Sequence, residues 1–157
     1  ITVNVPVVGQ LYTWNNVVAD PNGSETNSVA EGFETEYNQV DLTVETTDVN
    51  VGLYCLRVTS KADGTFRRFN VAWDVVDGTT YTISWDGKSL GGGVCRAITN
   101  LENVTGTSVY QSSTWTSYSA EVTATATGVG KVAWLQDDVI LANGHAYLLD
   151  NLSITAV

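Results

Sequence analysis

The sequence predicts an all-β fold, an antiparallel two-sheet β-sandwich. Apolar and polar residues alternate in short runs along most of the chain, Asn-Gly and Asp-Gly dipeptides separate those runs, and no stretch of helix length carries an apolar stripe at helical spacing. The composition agrees: it is rich in Thr, Val, Gly, Asn and Trp and contains no Met. β-Branched and aromatic side chains suit a pleated, half-buried surface.

Ile1, Val3, Val5 and Val7 alternate with Thr, Asn and Pro, so residues 1–15 read as a first strand in preference to a linker from an upstream domain. Residues 19–39 are dense in Asn, Ser, Glu and Gly and read as a long loop. Period-two alternation then marks residues 40–44, 53–58, 69–75, 81–85, 94–98, 118–122 and 131–135, with a last strand over 146–155. Asn22-Gly23, Asp63-Gly64, Asp77-Gly78, Asp86-Gly87 and Asn143-Gly144 offer the positive-φ positions of tight reversals. Gly91-Gly92-Gly93 is a further break; no Lys-Ser or Lys-Thr pair follows it, so it is not a phosphate loop. Residues 100–114 read as a second long loop. Short strands with frequent turns make a sandwich or barrel, and a jelly roll is the first choice. A length of 157 residues without internal repeat or clear boundary suits one domain, 1–157.

Lys and Arg number 7 against 17 Asp and Glu, a net charge of −10 that repels phosphate backbones and argues against general nucleic-acid binding. No run of about 18 apolar residues offers a spanning helix. The chain opens with Ile1, as a mature or excised piece of a larger protein would. Cys55 and Cys95 match no metal spacing. In an oxidising compartment a bridge between them would contribute about 3–4 kcal/mol; two buried thiols are the other reading. Catalytic motifs such as Gly-x-Ser-x-Gly or His-Glu-x-x-His are absent, and the single histidine, His145, follows a turn dipeptide. Asp137-Asp138 near a strand end reads as a solvated pair, so catalysis is not expected.

Three segments carry a resemblance to a known group. Gly78-Thr79-Thr80-Tyr81-Thr82-Ile83-Ser84 resembles the Gly-x-x-Tyr-Thr-hydrophobic-Ser strand entry of jelly-roll carbohydrate-binding modules. Ser113-Thr114-Trp115-Thr116-Ser117-Tyr118-Ser119 is similar to their Thr-x-Trp-x-x-Tyr/Phe strand, and the segment from Ala146 to Ile154, with Tyr147, Asp150, Asn151 and Leu152, resembles the closing Tyr-hydrophobic-Asp-Asp-hydrophobic strand. Order and spacing agree over residues 52–155. The group is the galactose-binding-like superfamily that includes carbohydrate-binding families 4, 9, 16 and 22. The resemblance is more specific for fold than for ligand.

It implies a secreted, non-catalytic module that binds a neutral or anionic polysaccharide, as a monomer tethered to a catalytic domain. It also implies a structural Ca2+. Asp150 matches the final-strand ligand. Glu25 matches the glutamate of an Asn-Gly-x-Phe-Glu segment, with Ser24 where the aromatic stands and Glu34 as a rival. Val51 replaces the acid sometimes seen before Gly52, so Asn50, Asp48 and the Tyr54 carbonyl would serve. Calcium takes about six to eight oxygens, which this acid- and amide-rich segment can offer.

Five Trp and seven Tyr exceed what a core of this size needs, and aromatic faces are natural platforms for the C–H faces of sugars. Trp85 and Trp115 hold structural positions in the family pattern, and Trp73 shares phase with Phe69 and Val71, so these read as core. Trp134 shares phase with Val132 and Gln136 on a strand that contributes groove residues in the family, making Trp134 and Gln136 the leading groove candidates. Phe66, Arg67 and Arg68 follow the Asp63-Gly64 turn, where the family often places a groove aromatic. Arg96 shares phase with Val94 and Ile98 and points toward the groove; with Arg57, Arg67 and Arg68 it would also suit uronic or sulfated glycans. Tyr110 as a rim stacker and Asn100 as a hydroxyl partner complete the set. The alternative is a surface adhesin or assembly module, which would offer a protein a flat apolar patch or an open edge strand.

Overall fold

The structure, a computed structural model, describes residues 9–14, 33–35, 40–52, 55–61, 68–92, 94–136 and 145–157, with backbone alone for 9–14, 33–35 and Gln136. Among the described residues twelve strands follow in order: β1 Gly9–Trp14, β2 Phe33–Thr35, β3 Val40–Glu45, β4 Cys55–Ser60, β5 Arg68–Val75, β6 Thr80–Leu90, β7 Cys95–Glu102, β8 Val104–Gly106, β9 Val109–Tyr110, β10 Thr116–Ala124, β11 Gly128–Gln136 and β12 Ala146–Ala156. They form a seven-stranded sheet, β3-β4-β12-β6-β10-β8 with β1 also beside β12, and a five-stranded sheet, β2-β5-β11-β7-β9. Every ladder is antiparallel. The expected two-sheet sandwich is what the chain forms.

Alternation explains the packing. Along β6, Tyr81, Ile83 and Trp85 are buried while Thr80, Thr82 and Ser84 are half-buried on the opposite face. Along β5, Phe69, Val71, Trp73 and Val75 turn inward to meet them. Phe69 stacks on Trp134 at 5.3 Å between ring centroids, and Trp85 meets Trp134 edge-on at 5.4 Å. The Tyr147 hydroxyl donates to the Trp134 carbonyl at 2.7 Å, tying β12 of one sheet to β11 of the other. Burial removes water from that phenol and pushes its pKa well above the usual value. Each such side chain contributes about 2–3 kcal/mol through burial.

Three local expectations change. Residues 19–39, read as a long loop, include β2 at Phe33–Thr35. Asp86-Gly87 is not a reversal: Gly87 lies inside β6. Residues 100–114 are not one loop, since β7 runs to Glu102 and β8 and β9 follow. Of the two readings of the cysteines, the thiols hold: Cys55 and Cys95 are buried on strands of different sheets and form no disulfide; burial, with nearby Asp150, Glu45 and Asp48, pushes the Cys55 thiol up to about 12. Asp77-Gly78 does turn, with φ of 76° at Gly78. The other turn dipeptides, Asn22-Gly23, Asp63-Gly64 and Asn143-Gly144, lie outside the described residues.

Candidate functional site

The outward face of the five-stranded sheet is built in rows across the strands. Leu135 of β11 stands opposite Arg68 of β5 on one side and Arg96 of β7 on the other, and Arg96 stands opposite Tyr110 of β9. This row crosses three strand spacings, about 14 Å. Tyr110 is 57% exposed, while Arg68, Leu135 and Arg96 are half-buried. The next row is Glu34 of β2, Asn70, Ala133 and Thr99, of which Asn70 and Ala133 are fully buried. Beyond it come Ala72, Lys131 and Glu102, then Asp74 and Val129. Lys131 approaches Glu102 at 3.9 Å.

A bulge in β7 aims the first two rows. Ala133 pairs with Thr99 and Leu135 with Arg96, so β7 spends three residues where β11 spends two. Ile98 takes a positive φ of 57°, and both Ala97 and Ile98 turn inward. Such an extra residue re-aims its neighbours, which is why Arg96 and Thr99 share a face although they are three positions apart. Arg96 is outward as expected, but Ile98 is not its companion.

The structure brings together Arg68, Arg96 and Tyr110 from the sequence-derived set. It overturns Trp134. That ring is wholly buried between Phe69 and Trp85, and its register partner is Phe69, an inward residue. The outward phase of β11 is Lys131, Ala133 and Leu135 instead. Period-two reading identifies two phases without saying which faces the other sheet, and the polar Gln136 made the buried phase look like the open one. Gln136 ends β11 opposite Cys95; its side chain, with Phe66 and Arg67, lies outside the described residues. Asn100 is exposed and apart from the row, donating its amide to the Gly106 carbonyl at 3.0 Å, which pins β8.

Sequence reasoning missed Gln111. It follows Tyr110 and is buried, with its backbone N–H donated to the Cys95 carbonyl at 2.9 Å. Its side-chain oxygen accepts the Trp85 indole N–H at 2.9 Å. The next residue, Ser112, accepts the Ser89 N–H through its carbonyl at 2.8 Å. The segment 109–112 is therefore a strap that leaves the five-stranded sheet and anchors on the other. Gly87 makes room for it: a Cβ there would overlap the Gln111 amide. A glycine inside an alternating strand, where no turn follows, is the signal that could have pointed to a close approach.

On and beside the other sheet, three carboxylates are satisfied by neighbouring side chains and backbone N–H groups. Glu45 accepts from Thr46, Thr47 and Asp48 N–H groups and the Thr47 hydroxyl, and meets Arg57 at 2.9 Å. The Thr47 hydroxyl, then its backbone N–H and Arg57, overcome the opposing effect of burial and hold that carboxyl at about 2. Asp48 takes Lys88 at 2.6 Å and the Trp115 indole at 2.9 Å, which lower its pKa against burial. Asp86 takes Asn50, Asn151 and Ser117.

Asp150, the expected calcium ligand on the closing strand, is fully buried and accepts the Val51 and Asn151 N–H groups at 3.1 and 2.9 Å. Each carboxylate oxygen has further lone pairs. Asn50 turns its amide N–H to Asp86, leaving its amide oxygen as the atom suited to a cation. The two fit a hard cation in donor type. They do not complete a site: among the described residues no group of three His, Cys, Asp or Glu is arranged to hold a metal. Glu25 and Tyr54 lie outside the described residues.

Comparison with known proteins follows the same architecture. No protein-family model matches the chain, and no curated protein matches it. Among solved structures, the CBM22-1 xylan-binding domain of Paenibacillus barcinonensis Xyn10C superposes with TM-score 0.65 at 13% identity over 98% of both chains. The chain has the jelly-roll fold of carbohydrate-binding modules. In the Clostridium thermocellum xylanase Xyn10B, whose CBM22-1 and GH10 modules were solved with xylohexaose, the match has TM-score 0.63 at 17% identity and covers 94% of this chain but 28% of that one. In the arabinose-bound MgGH51 α-L-arabinofuranosidase it has TM-score 0.66 at 16% identity and covers 95% of this chain and 26% of that one. The match thus covers nearly all of the isolated domain and about a quarter of each of the two longer chains.

Proposed function

We propose that this domain binds a polysaccharide without catalysis, across the outward face of the five-stranded sheet, and so holds an attached enzyme on its substrate outside the cell. One observation carries the reading: Arg68, Leu135, Arg96 and the exposed Tyr110 form a continuous row on the sheet. A flat aromatic ring and an aliphatic side chain suit the apolar faces of sugar rings, while guanidiniums suit their oxygens. Proteins of the same fold that carry xylan-binding and xylohexaose-bound descriptions support it. A structural calcium belongs to the proposal. Asp150 and Asn50, with Glu25 and the Tyr54 carbonyl, would hold it, and the ion would neutralise a buried carboxylate.

Affinity electrophoresis through gels containing xylan, mixed-linkage glucan or mannan tests the reading. Retardation by at least one polymer is expected, reduced about fivefold or more by Tyr110→Ala at unchanged melting temperature. A folded domain that no glycan retards would sink the reading in favour of an adhesin.

A further inference from the structure

We infer that the glycan taken by this face carries O-acetyl esters, one of them seated on Val94 beside Tyr110; this rests on the binding reading above. Val94 directly precedes β7 and is 39% exposed. Tyr110 stands opposite Arg96, and the Gln111 N–H reaches the Cys95 carbonyl, so the two lanes stay in step toward Val94. Cys95 and Gln111 are buried, whereas Val94, Arg96 and Tyr110 take the opposite, outward phase. Val94 is thus the diagonal neighbour of Tyr110, about 7–8 Å away. The other exposed large hydrophobic residues among those described lie elsewhere: Val51 beside Asp150, Val129 opposite Asp74 and Val157 beside Thr80.

The surroundings of Val94 favour a sugar hydroxyl that is capped. Its own methyl groups neither donate nor accept hydrogen bonds. Ser112, one step beyond Gln111 and so facing Val94, is already engaged. It donates its N–H to the Tyr118 hydroxyl at 2.7 Å and its own hydroxyl to the Thr114 carbonyl at 2.7 Å. Its carbonyl accepts the Ser89 N–H at 2.8 Å. A free sugar hydroxyl pressed against this spot loses water without gaining a partner, which weakens binding. An acetyl ester has no O–H to satisfy, and its methyl group covers the exposed valine. It is also uncharged, so the net charge of −10 does not oppose it. The turn before β7 leaves room. Gly91 and Gly92 are exposed; a Cβ at Gly92 would meet nothing within 4 Å, and one at Gly91 only the His145 ring at 3.9 Å. These two glycines of the run between β6 and β7 keep side chains off that flank.

Isothermal titration calorimetry with acetylated xylo- and manno-oligosaccharides, each beside its alkali-deacetylated twin, tests the assignment. Tighter binding of the acetylated member, by about three- to tenfold on at least one backbone, is expected. Val94→Thr exchanges a methyl group for a hydroxyl of similar size and is expected to close most of that gap. Val94→Ile keeps the surface apolar and is expected to retain it. Each variant is first checked for an intact thermal transition. A gap that survives Val94→Thr, or that Val94→Ile abolishes as well, overturns the assignment to Val94. Equal binding of acetylated and deacetylated twins overturns the acetyl class while leaving polysaccharide binding intact. Failure of the folded protein to bind any of the four, and the polymers of the gel assay as well, overturns the binding reading itself.

Discussion

The outward face of the seven-stranded sheet presents Thr80, Thr82, Ser84, Ser119, Ser153 and Thr155, with its carboxylates Glu45, Asp48 and Asp86 each engaged by several donors. The outward face of the five-stranded sheet presents Tyr110, Leu135, Val129 and two arginines. Both faces follow from the same alternation, yet they are finished differently. The first has satisfied these three carboxylates internally, so a ligand at them would replace one set of hydrogen bonds with another for little net gain. The second exposes Tyr110 and Val129, 57% and 45% accessible, and a flat partner gains by covering them. Function belongs where apolar area remains open.

The largest test of that contrast concerns what lies between the sheets. Trp134→Ala is expected to destabilise the domain by about 3–5 kcal/mol, since it empties a site walled by Phe69 and Trp85. Trp134→Phe is expected to cost less, because the indole N–H is buried without an acceptor among the described residues. Chemical denaturation measures both. A Trp134→Ala domain of unchanged stability with weakened glycan binding would return this ring to the binding face.

That substitution also marks how far the sequence could be read. The strand pattern was legible because period-two alternation is written locally, residue by residue, in segments such as 81–85 and 146–155. Which phase faces the second sheet is not local. On β11 both phases contain apolar residues, Val132 and Trp134 on one side and Ala133 and Leu135 on the other, so the choice rested on Gln136 and the resemblance and went the wrong way. Arg96 and Tyr110 were legible as polar and aromatic residues near a sheet edge. Their adjacency needed the β7 bulge and the β9 pairing, which depend on long-range register. The Gln111 strap was illegible for the same reason, as its partners Gly87 and Trp85 are more than twenty residues away.

Next in size comes the closing strand. Asp150→Ala removes the acceptor of two backbone N–H groups in a buried bulge, and a loss of about 2 kcal/mol is expected. With calcium bound in the native state, the loss grows by the binding free energy. Metal-stripped wild-type protein should therefore melt higher on calcium addition, and Asp150→Ala should not respond. A wild-type melting temperature indifferent to calcium would remove the ion from the proposal and leave Asp150 as a backbone cap.

The satisfied face has a pH signature of its own. Glu45 is held at about 2 in the folded chain against an ordinary 4.5, chiefly by the Thr47 hydroxyl. A depressed carboxyl contributes stability that is complete above the unfolded value and disappears as pH falls toward the folded one. Stability should thus decline between about pH 5 and 2, with Glu45 contributing on the order of 1 kcal/mol. Glu45→Gln should be less stable at neutral pH, and the two stability curves should converge near pH 2. Parallel curves across that range would show that Glu45 is not a source of the acid sensitivity.

The smallest expected change in stability is the one that joins the two faces. Gly87→Ala places a methyl group where the Gln111 amide sits, and because that amide is the end of a flexible side chain it can withdraw. Withdrawal leaves the buried Trp85 N–H without its acceptor, a cost of about 1 kcal/mol. The strap would then lose its hold beneath Tyr110, so glycan affinity should fall by more than the modest stability loss implies. Gln111→Ala alone should behave alike, since it removes the same acceptor and leaves an empty notch at Gly87. Adding Gly87→Ala to it should recover packing without recovering affinity, because the methyl group fills the notch but accepts no hydrogen bond. Unchanged affinity in all three variants would mean that β9 is held by its pairing with β7 alone, and that the seven-stranded sheet has no part in presenting Tyr110.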